Sequence, residues 1–456
     1  MARLGVQLRL SLPTAENHAL TLEFNGLDDF HPDRIFARAE LFQALRDTRA
    51  RLIDPKTFAA TAAEVRQWLN VPETREPSLN SEPERPATGH PDITGQDLLN
   101  RILKESSGEA GSAASPHEQL TLDIQSLVQE VVGPFLVPDD AEQNSLIAAL
   151  DQAMGGQMRA LLHHPDFQAL EAAWRALYFL VSRLENDTQL KIYLLDISFN
   201  ELRASLTTSE DVEATGLYTL LVESTVETFG GEPWALLAGN YFFDLTSSDA
   251  ELLSKLSIIA QKAKAPFVAG ATSMVVGCES LALMEDPRDW QLVGDANATL
   301  AWDQLRKLPS ARYVGLALPR FLLRLPFGSE TDETEGFAFE EMPEPAGQKH
   351  DWYLWGNPCF CLAYLLGNSF LQSGWDFKPG ECLEIEGLPI HVYRAEGETR
   401  IKPCAETLLT VRAAEKIIDG GPMPILTMKD TGTIRVGVFQ SLALPATNLL
   451  GRWYSG

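Results

Sequence analysis

Trp234-Ala-Leu-Leu-Ala-Gly-Asn-Tyr-Phe-Phe-Asp-Leu245 reads as a strand. The chain turns into it at Gly230-Gly-Glu-Pro233 and leaves it through Ser248-Asp-Ala-Glu251. Ser248 followed three residues later by Glu251 is the signature of a helix start: the hydroxyl accepts from one orphan N–H and the carboxylate from another. That helix runs on to Lys264, and Pro266-Phe-Val-Ala-Gly270 begins a second strand. Strand, helix, strand within forty residues predicts a layered α/β (α+β) fold with some parallel pairing.

The same alternation extends upstream. Leu190-Lys-Ile-Tyr-Leu-Leu-Asp-Ile197 has the apolar and aromatic content of a strand, and Ser198 with Glu201 supplies another capping box. Before it, Phe167, Leu170, Trp174, Leu177, Val181 and Leu184 recur at spacings of three and four, which predicts one buried stripe on a long helix broken at Asp187-Thr188. Leu120 to Leu136, Asn144 to Leu162 and Glu213 to Glu227 read as further helices. Beyond Leu316 the text becomes rich in Pro, Gly and aromatic residues, and Thr433-Ile-Arg-Val-Gly-Val-Phe439 returns to strand character.

The N-terminal part differs. Leu20, Leu22 and Phe24 alternate on one face of a half-buried strand. Asn25-Gly-Leu-Asp-Asp29 turns the chain. Pro32 fits the first turn of a helix, where its missing N–H costs nothing. Ile35, Phe42, Leu45 and Leu52 form that helix's apolar stripe. Residues 1–71 are therefore expected to form a strand-turn-helix segment. Residues 72–117 are dominated by Pro, Glu, Ser, Gly and Thr, which predicts a flexible linker with one helical island at Gln96 to Lys104. Residues 118–456 form the main body, a mixed sheet with flanking helices.

Charge limits the function classes. Lys plus Arg number 37 against 63 Asp plus Glu, a formal net charge of -26. Such a chain repels nucleic acid and anionic membrane surfaces. No apolar run is long enough to span a membrane and no signal peptide opens the chain. Five cysteines, an odd number, fit a reducing compartment, so the cytoplasm is expected.

A search for chemistry yields little. Gly155-Gly156 and Gly230-Gly231 lack the Lys-Ser/Thr that would grip a phosphate, and there is no Gly-x-Ser-x-Gly elbow. His163 and His164, adjacent on a helix, would point about 100° apart. Cys359-x-Cys361, His350 and His391 lack the spacing of a zinc set. The histidines are read as ending one helix and starting the next, and the cysteines as core filling. Asp28-Asp29, Asp332-Glu333 and Glu340-Glu341 read as turn residues and solvated loops. Hence no catalytic residue, cofactor or metal is expected. Trp352, Trp355, Phe360, Phe370 and Trp375 crowd one region; such density more often marks a packed core or a protein–protein surface than a ligand cage.

Several stretches resemble the large subunit of the type VI secretion contractile sheath (TssC, ImpC or EvpB). Leu162-His-His-Pro-Asp-Phe-Gln-Ala-Leu-Glu-Ala-Ala-Trp-Arg-Ala-Leu177 follows that family's pattern, as do Phe229-Gly-Gly-Glu-Pro-Trp234 and Trp302-Asp-Gln-Leu-Arg306. Ala311 to Phe327, Phe337-x-Phe339-Glu-Glu341, Leu354-Trp-Gly-Asn-Pro358, Ser369-Phe370 and Gly374-Trp375 continue it in order. The match runs from about Ile102 to about Pro445. Separately, Leu22-Glu-Phe-Asn-Gly-Leu-Asp-Asp-Phe-His-Pro-Asp33 resembles the small sheath subunit (TssB), which suggests a fusion of a small-subunit fragment to most of a large subunit.

The resemblance implies a non-enzymatic structural subunit that assembles with other sheath or baseplate proteins, with a homo-oligomer among the expected assemblies, and without nucleic acid or membrane. The family's large subunit continues past the position matching Leu444-Pro445 into a packing segment, so this chain is expected to lack it. The alternative is a monomeric adaptor or regulator that keeps the sheath fold; an enzyme reusing that fold ranks last. Leu20, Leu22 and Phe24 and the tryptophans Trp352, Trp355 and Trp375 are the expected protein contacts.

Overall fold

The computed structural model describes residues 1–11, 19–68, 143–185, 189–284, 286–291, 295–343, 349–395 and 397–453. The expected linker 72–117, the helix at Leu120 to Leu136 and the Asp187-Thr188 break lie outside these residues. The chain divides into two compact units.

One unit gathers Gln7–Glu23 and Pro32–Leu161. Strands β1 (Val6–Ser11) and β2 (Ala19–Phe24) pair in a two-stranded sheet. Helices α1 (Pro32–Arg38), α2 (Glu40–Ile53) and α3 (Phe58–Trp68) follow, and α4 (Gln143–Leu162) packs with them. Pro32 opens α1 as expected. The chain breaks at Ala39, whose backbone turns extended, so the expected single helix is two. The predicted stripe survives the break: Ile35, Phe42, Leu45 and Leu52 are all buried. Arg49 forks onto Asp151, Nε donating to Oδ1 at 2.6 Å and Nη2 to Oδ2 at 3.2 Å. Gln143 Nε2 donates to the Leu52 carbonyl at 2.6 Å, satisfying an orphan acceptor at the end of α2.

The other unit comprises Met1–Val6, Phe24–His31 and Leu162–Gly456. Its helices are α5 (Pro165–Arg183), α6 (Phe199–Thr207), α7 (Ser247–Ala263), α8 (Ala296–Lys307), α9 (Cys359–Ser373) and α10 (Val411–Gly420). Its strands are β3 (Leu237–Phe243), β4 (Phe267–Ala271), β5 (Val314–Leu318), β6 (Phe321–Leu322), β7 (Trp355–Gly356), β8 (Glu384–Ile385), β9 (His391–Ala395), β10 (Glu398–Lys402), β11 (Met423–Thr427) and β12 (Ile434–Val436).

Six strands form one mixed sheet in the order β3-β4-β5-β11-β12-β8. The pairs from β3 to β11 are parallel; β11-β12 and β12-β8 are antiparallel. Every residue of β4 and β5 is buried, as a strand covered on both faces requires. The period of two divides the core. Phe267, Ala269, Val314, Leu316 and Leu318 face one layer with α7, α8 and α10. Val268, Ala317, Met423 and Ile425 face the other with α5 and α9. The fold is α/β, a mixed sheet between two helical layers.

Several local readings change. Leu190 to Ile197 joins no strand ladder. Among the described residues its backbone finds no sheet neighbour, and Tyr193, Leu194 and Leu195 stay exposed. Strand propensity expresses a fit to a pleated, half-buried surface, and here that surface is missing. On α5 the deepest face is Phe167, Glu171, Ala176, Phe179 and Leu180, while Val181 is exposed. Two apolar series with helical spacing overlap on that helix, and only the packing partner decides between them.

The start of α7 moves by two residues. Thr246, not Ser248, is the cap, its hydroxyl accepting from Asp249 N at 3.1 Å. Asp249 is buried, accepting from Arg203 Nη2 at 2.7 Å and from Asp244 N at 2.8 Å. Thr246→Ala should therefore cost about 1 kcal/mol. Ser248→Ala should stay within roughly 0.5 kcal/mol. Urea unfolding of the two variants checks the order.

Helix α9 was not anticipated. Its stretch Cys359-Phe-Cys-Leu-Ala-Tyr-Leu-Leu-Gly367 has no polar face to reveal a helical period, as expected of a helix covered nearly all round. Gly367 lets α9 come close to Leu184, which a Cβ there would meet at 3.0 Å.

Candidate functional site

Several motif-bearing charges of the body come together. Arg320 and Arg324 stand four apart in the apolar run that follows β5. Strand β6 between them pairs with β7, setting Leu322 opposite Trp355. Helix α5 brings Glu171, one turn after Phe167. The loop after Phe337-x-Phe339 brings Glu341, whose backbone N–H donates to the Phe327 carbonyl at 2.9 Å.

Arg324 sits between the two carboxylates. Its Nε donates to Glu171 Oε1 at 2.8 Å and its Nη2 to Oε2 at 3.2 Å. Its Nη1 donates to Glu341 Oε2 at 2.7 Å, and Nη2 reaches Oε1 at 3.1 Å. Arg175 Nε donates to Glu171 Oε1 from the far side at 2.7 Å. The Phe327 N–H also donates to Glu341 Oε2 at 2.8 Å, and the guanidinium lies 4.2 Å from the Phe327 ring centre. His163 Nε2 lies 3.3 Å from Glu341 Oε1, poorly aligned for a hydrogen bond. The His163 ring stacks on Trp352 at 4.1 Å, and Lys349 Nζ lies 3.5 Å from the centre of the Trp352 ring.

Electrostatics explain why this cluster stays ionised. Burial alone would push the Glu341 carboxyl up. The Arg324 charge and the contact with His163 outweigh it and hold the group at about 2. Burial would likewise lower Arg324, yet Glu171 and Glu341 hold it above its ordinary value. Three charges this dry persist only because each is paired and hydrogen-bonded. The expectation of a solvated loop at Glu340-Glu341 is thus corrected: Glu341 is completely buried, and Glu340 caps the turn by accepting from Ser329 N at 2.9 Å.

A second cluster gathers around Glu406. Glu406 Oε2 accepts from Arg320 N at 2.8 Å and Oε1 from Arg320 Nε at 2.8 Å. His350 Nε2 contacts Glu406 Oε1 at 3.2 Å, and Lys402 Nζ contacts His350 Nδ1 at 3.0 Å. A lysine ammonium only donates, so Nδ1 accepts and the imidazole proton sits on Nε2, facing the carboxylate. Burial pushes Glu406 up, but the His350 hydrogen bond and the Arg320 charge hold it at about 2. Tyr353 OH and His391 Nδ1 lie 2.7 Å apart, which ties β9 to the same aromatic block.

The expected contact residues divide. Trp352 and Trp355 join Tyr353, Leu322 and Met342 in one small core, with Trp355 buried and Trp352 half-buried. Trp375 lies at the end of α9, 47% exposed and edge-on to Phe370 at 4.9 Å. On β2, Leu22 and Phe24 are buried and Leu20 is half-buried. His164 starts α5 by accepting from Asp166 N at 3.2 Å. Cys359, Cys361 and Cys404 are buried thiols, and burial pushes Cys404 up to about 11. Among the described residues no three His, Cys, Asp or Glu side chains gather as a metal set. Sequence reasoning passed over Glu171, Arg320, Arg324, Lys402 and Glu406. A usable signal was present: two arginines spaced by four inside the apolar run Val314 to Phe327.

The remaining motifs brace the sheet. Gly231 sits where a Cβ would lie 2.3 Å from the Thr225 carbonyl oxygen, so the Gly-Gly-Glu-Pro turn closes only with glycine there. Asn357 Nδ2 donates to the Tyr241 carbonyl at 2.8 Å, filling an acceptor where the β3-β4 register shifts, and its Oδ1 accepts from Cys359 N at 2.9 Å to start α9. Arg306 reaches from α8 to the carbonyls of Leu442 and Asp419, both at 3.1 Å. None of these positions offers a nucleophile poised beside a base. The arrangement holds strands and helices in register.

Two comparisons accord with this. The family model VipB, described as "EvpB/VC_A0108, tail sheath N-terminal domain", matches residues 144–443. The "Type VI secretion system sheath protein TssC1" of Pseudomonas aeruginosa is 36% identical over 321 residues, covering 68% of this chain and 64% of that relative. The chain therefore spans just under two thirds of the relative's length. The match takes in the helix of Glu171, the arginine pair, Glu341, Glu406 and the whole six-stranded sheet, and the chain belongs to the VipB/EvpB tail-sheath family, that of the type VI sheath large subunit.

Proposed function

We propose that the chain is a non-enzymatic structural component of a type VI contractile sheath. It works in the cytoplasm, assembling with other sheath or baseplate proteins, and joins a small-subunit-like N-terminal segment to a large-subunit-like body. The observation that carries this reading is an open sheet edge beside an unladdered apolar run. β3 is the first strand of the six-stranded sheet and pairs only with β4 among the described residues. Next to it, Tyr193 packs edge-on against Trp234 at 5.3 Å, and the Tyr241 hydroxyl donates to the Ile197 carbonyl at 2.7 Å. Tyr193, Leu194 and Leu195 are 59%, 63% and 52% exposed, and Phe229 is fully exposed. Apolar side chains clustered at an unpaired edge support a partner chain adding there.

The charge supports the rest. A formal net charge of -26 disfavours nucleic acid and anionic lipid. The buried carboxylates Glu171 and Glu341 are spent on Arg324 and have no free face for proton transfer.

Light scattering and negative-stain electron microscopy test the reading, on the intact chain alone and mixed with the other sheath proteins of its system. Large assemblies are expected in the mixture. Leu194→Asp with Leu195→Asp should abolish them while leaving the urea midpoint nearly unchanged, because both residues already face water. A chain that remains a monomer in the mixture would overturn the sheath-building role and leave the adaptor reading.

A further inference from the structure

Residues Phe24–His31 belong with the body, whereas the chain on both sides, Gln7–Glu23 and Pro32–Leu161, belongs to the other unit. Eight residues thus leave their neighbours in sequence and dock on a surface formed far along the chain.

The docking is dense. Phe24 and Phe30 are buried and stack on each other at 4.3 Å. Both meet Phe167 of α5 edge-on, at 6.0 and 5.7 Å. The turn between them is closed by Asp29, whose Oδ2 accepts from Asn25 N at 2.6 Å and from Gly26 N at 3.1 Å. His31 then lies edge-on to Phe327 at 4.9 Å, with Nε2 3.7 Å from Asp332. Phe327 is a wall fixed from behind, by its N–H bond to Glu341 and by the Arg324 guanidinium over its ring. The socket is therefore rigid, and the segment is a compact aromatic plug.

We propose that Phe24–His31 is a self-docking recognition segment. The face made by Phe167, Phe327 and Asp332 is a receptor for an aromatic-bracketed acidic turn of the form Phe-Asn-Gly-Leu-Asp-Asp-Phe-His. In this chain the receptor is filled in cis, which closes it to any other chain that presents such a turn. A tethered segment competes at a high effective concentration, so a free segment sees only the small fraction of open sockets. This inference stands on the docked geometry and does not depend on the sheath reading.

The test uses a fluorescein-labelled synthetic peptide of residues 20–33 and fluorescence anisotropy. The intact full chain is expected to bind it weakly. Phe24→Ala with Phe30→Ala empties the socket and should bind it about tenfold tighter or more. Adding Phe167→Ala should remove that gain. Asp29→Ala is the milder variant, removing the two turn-closing bonds and keeping both rings; it should give a smaller gain in the same direction. Equal binding by the intact chain and both opened variants overturns the proposal, as does failure of both variants to bind while retaining the intact chain's circular dichroism. Hydrogen exchange at the Asn25 and Gly26 amides provides an independent readout. Their protection should be unchanged on dilution of the intact chain. Protection that falls on dilution would place the contact between copies and overturn cis filling.

Discussion

Arg324→Ala should destabilise the body by roughly 3–5 kcal/mol, the cost of removing one partner from a buried ion pair. The size follows from where the cost arises. Arg324 makes contacts to two carboxylates that water barely reaches. Cutting it away leaves Glu171 with Arg175 alone and Glu341 with only the poorly aligned His163. Two carboxylates then face each other in a dry setting with most of their compensation gone. Arg324→Lys should recover only part of the loss, because a point charge cannot fork onto both carboxylates. Arg324→Met combined with Glu171→Gln and Glu341→Gln should cost less than Arg324→Ala alone, since no charge is stranded. Guanidinium melts of the four proteins rank them.

The pH dependence has a definite sign. The folded Glu341 carboxyl is held at about 2, below the ordinary glutamate value of about 4.3. A depressed carboxylate contributes stability that is fully present above its unfolded value and is lost as the pH falls through its folded value. The intact chain should therefore lose this contribution between about pH 4 and pH 2. In Arg324→Ala the carboxylate no longer has its cation and gains from being protonated, so the gap between intact chain and variant should narrow on acidification from pH 7 to 4. A gap that stays constant over that range would sink the idea that stranded charge sets the cost.

How much of this was legible beforehand differs by element. The strand-helix-strand unit around α7 was readable because its period switches from two to helical spacing, and turn residues mark both ends. The mixed sheet and its parallel pairing followed. Leu190 to Ile197 misled because a strand is defined by its neighbour, and no sequence window contains the neighbour. Helix α9 was hidden by its own burial, having no wet face to show a period. The site was less legible still. Glu171 carried no reading of its own, and Glu341 looked like half of a solvated acidic pair. Their partner, Arg324, lies 153 residues from Glu171 in the chain. Pairing of that range is a property of the topology, which brings β6 beside α5. The tryptophans stood out in the sequence as a crowded region, but crowding alone did not say that Trp352 stacks on His163 beside Glu341 and Trp355 on His350 beside Glu406. The motif resemblance took in Glu171, Arg320, Arg324 and Glu341 without singling them out, and their ion pairs give those motifs a physical reason.

The second cluster lets the role of water be measured against the first. Glu406 receives three hydrogen bonds from Arg320 where Glu341 receives two from Arg324, yet the Arg320 side chain is 36% exposed where Arg324 is 9% exposed. Glu406→Ala strands a guanidinium that can turn to solvent, so the penalty should fall to about 1–3 kcal/mol, mostly lost charge-assisted hydrogen bonds. His350 would lose the acceptor for its Nε2 proton, and Lys402 would lose the relay that holds it over Tyr353 and Trp355. Local loosening of β10 is therefore expected alongside the modest global loss, visible as faster amide exchange from Glu398 to Lys402 with little change at β4. Glu406 is also held at about 2, so by the same sign its contribution is present above about pH 4.3 and lost below. Glu406→Ala should have a flatter acid limb than the intact chain between pH 5 and about 3. A global loss as large as that of Arg324→Ala would mean that the number of bonds to a carboxylate, and not the dryness of its partner, sets the strength of these clusters.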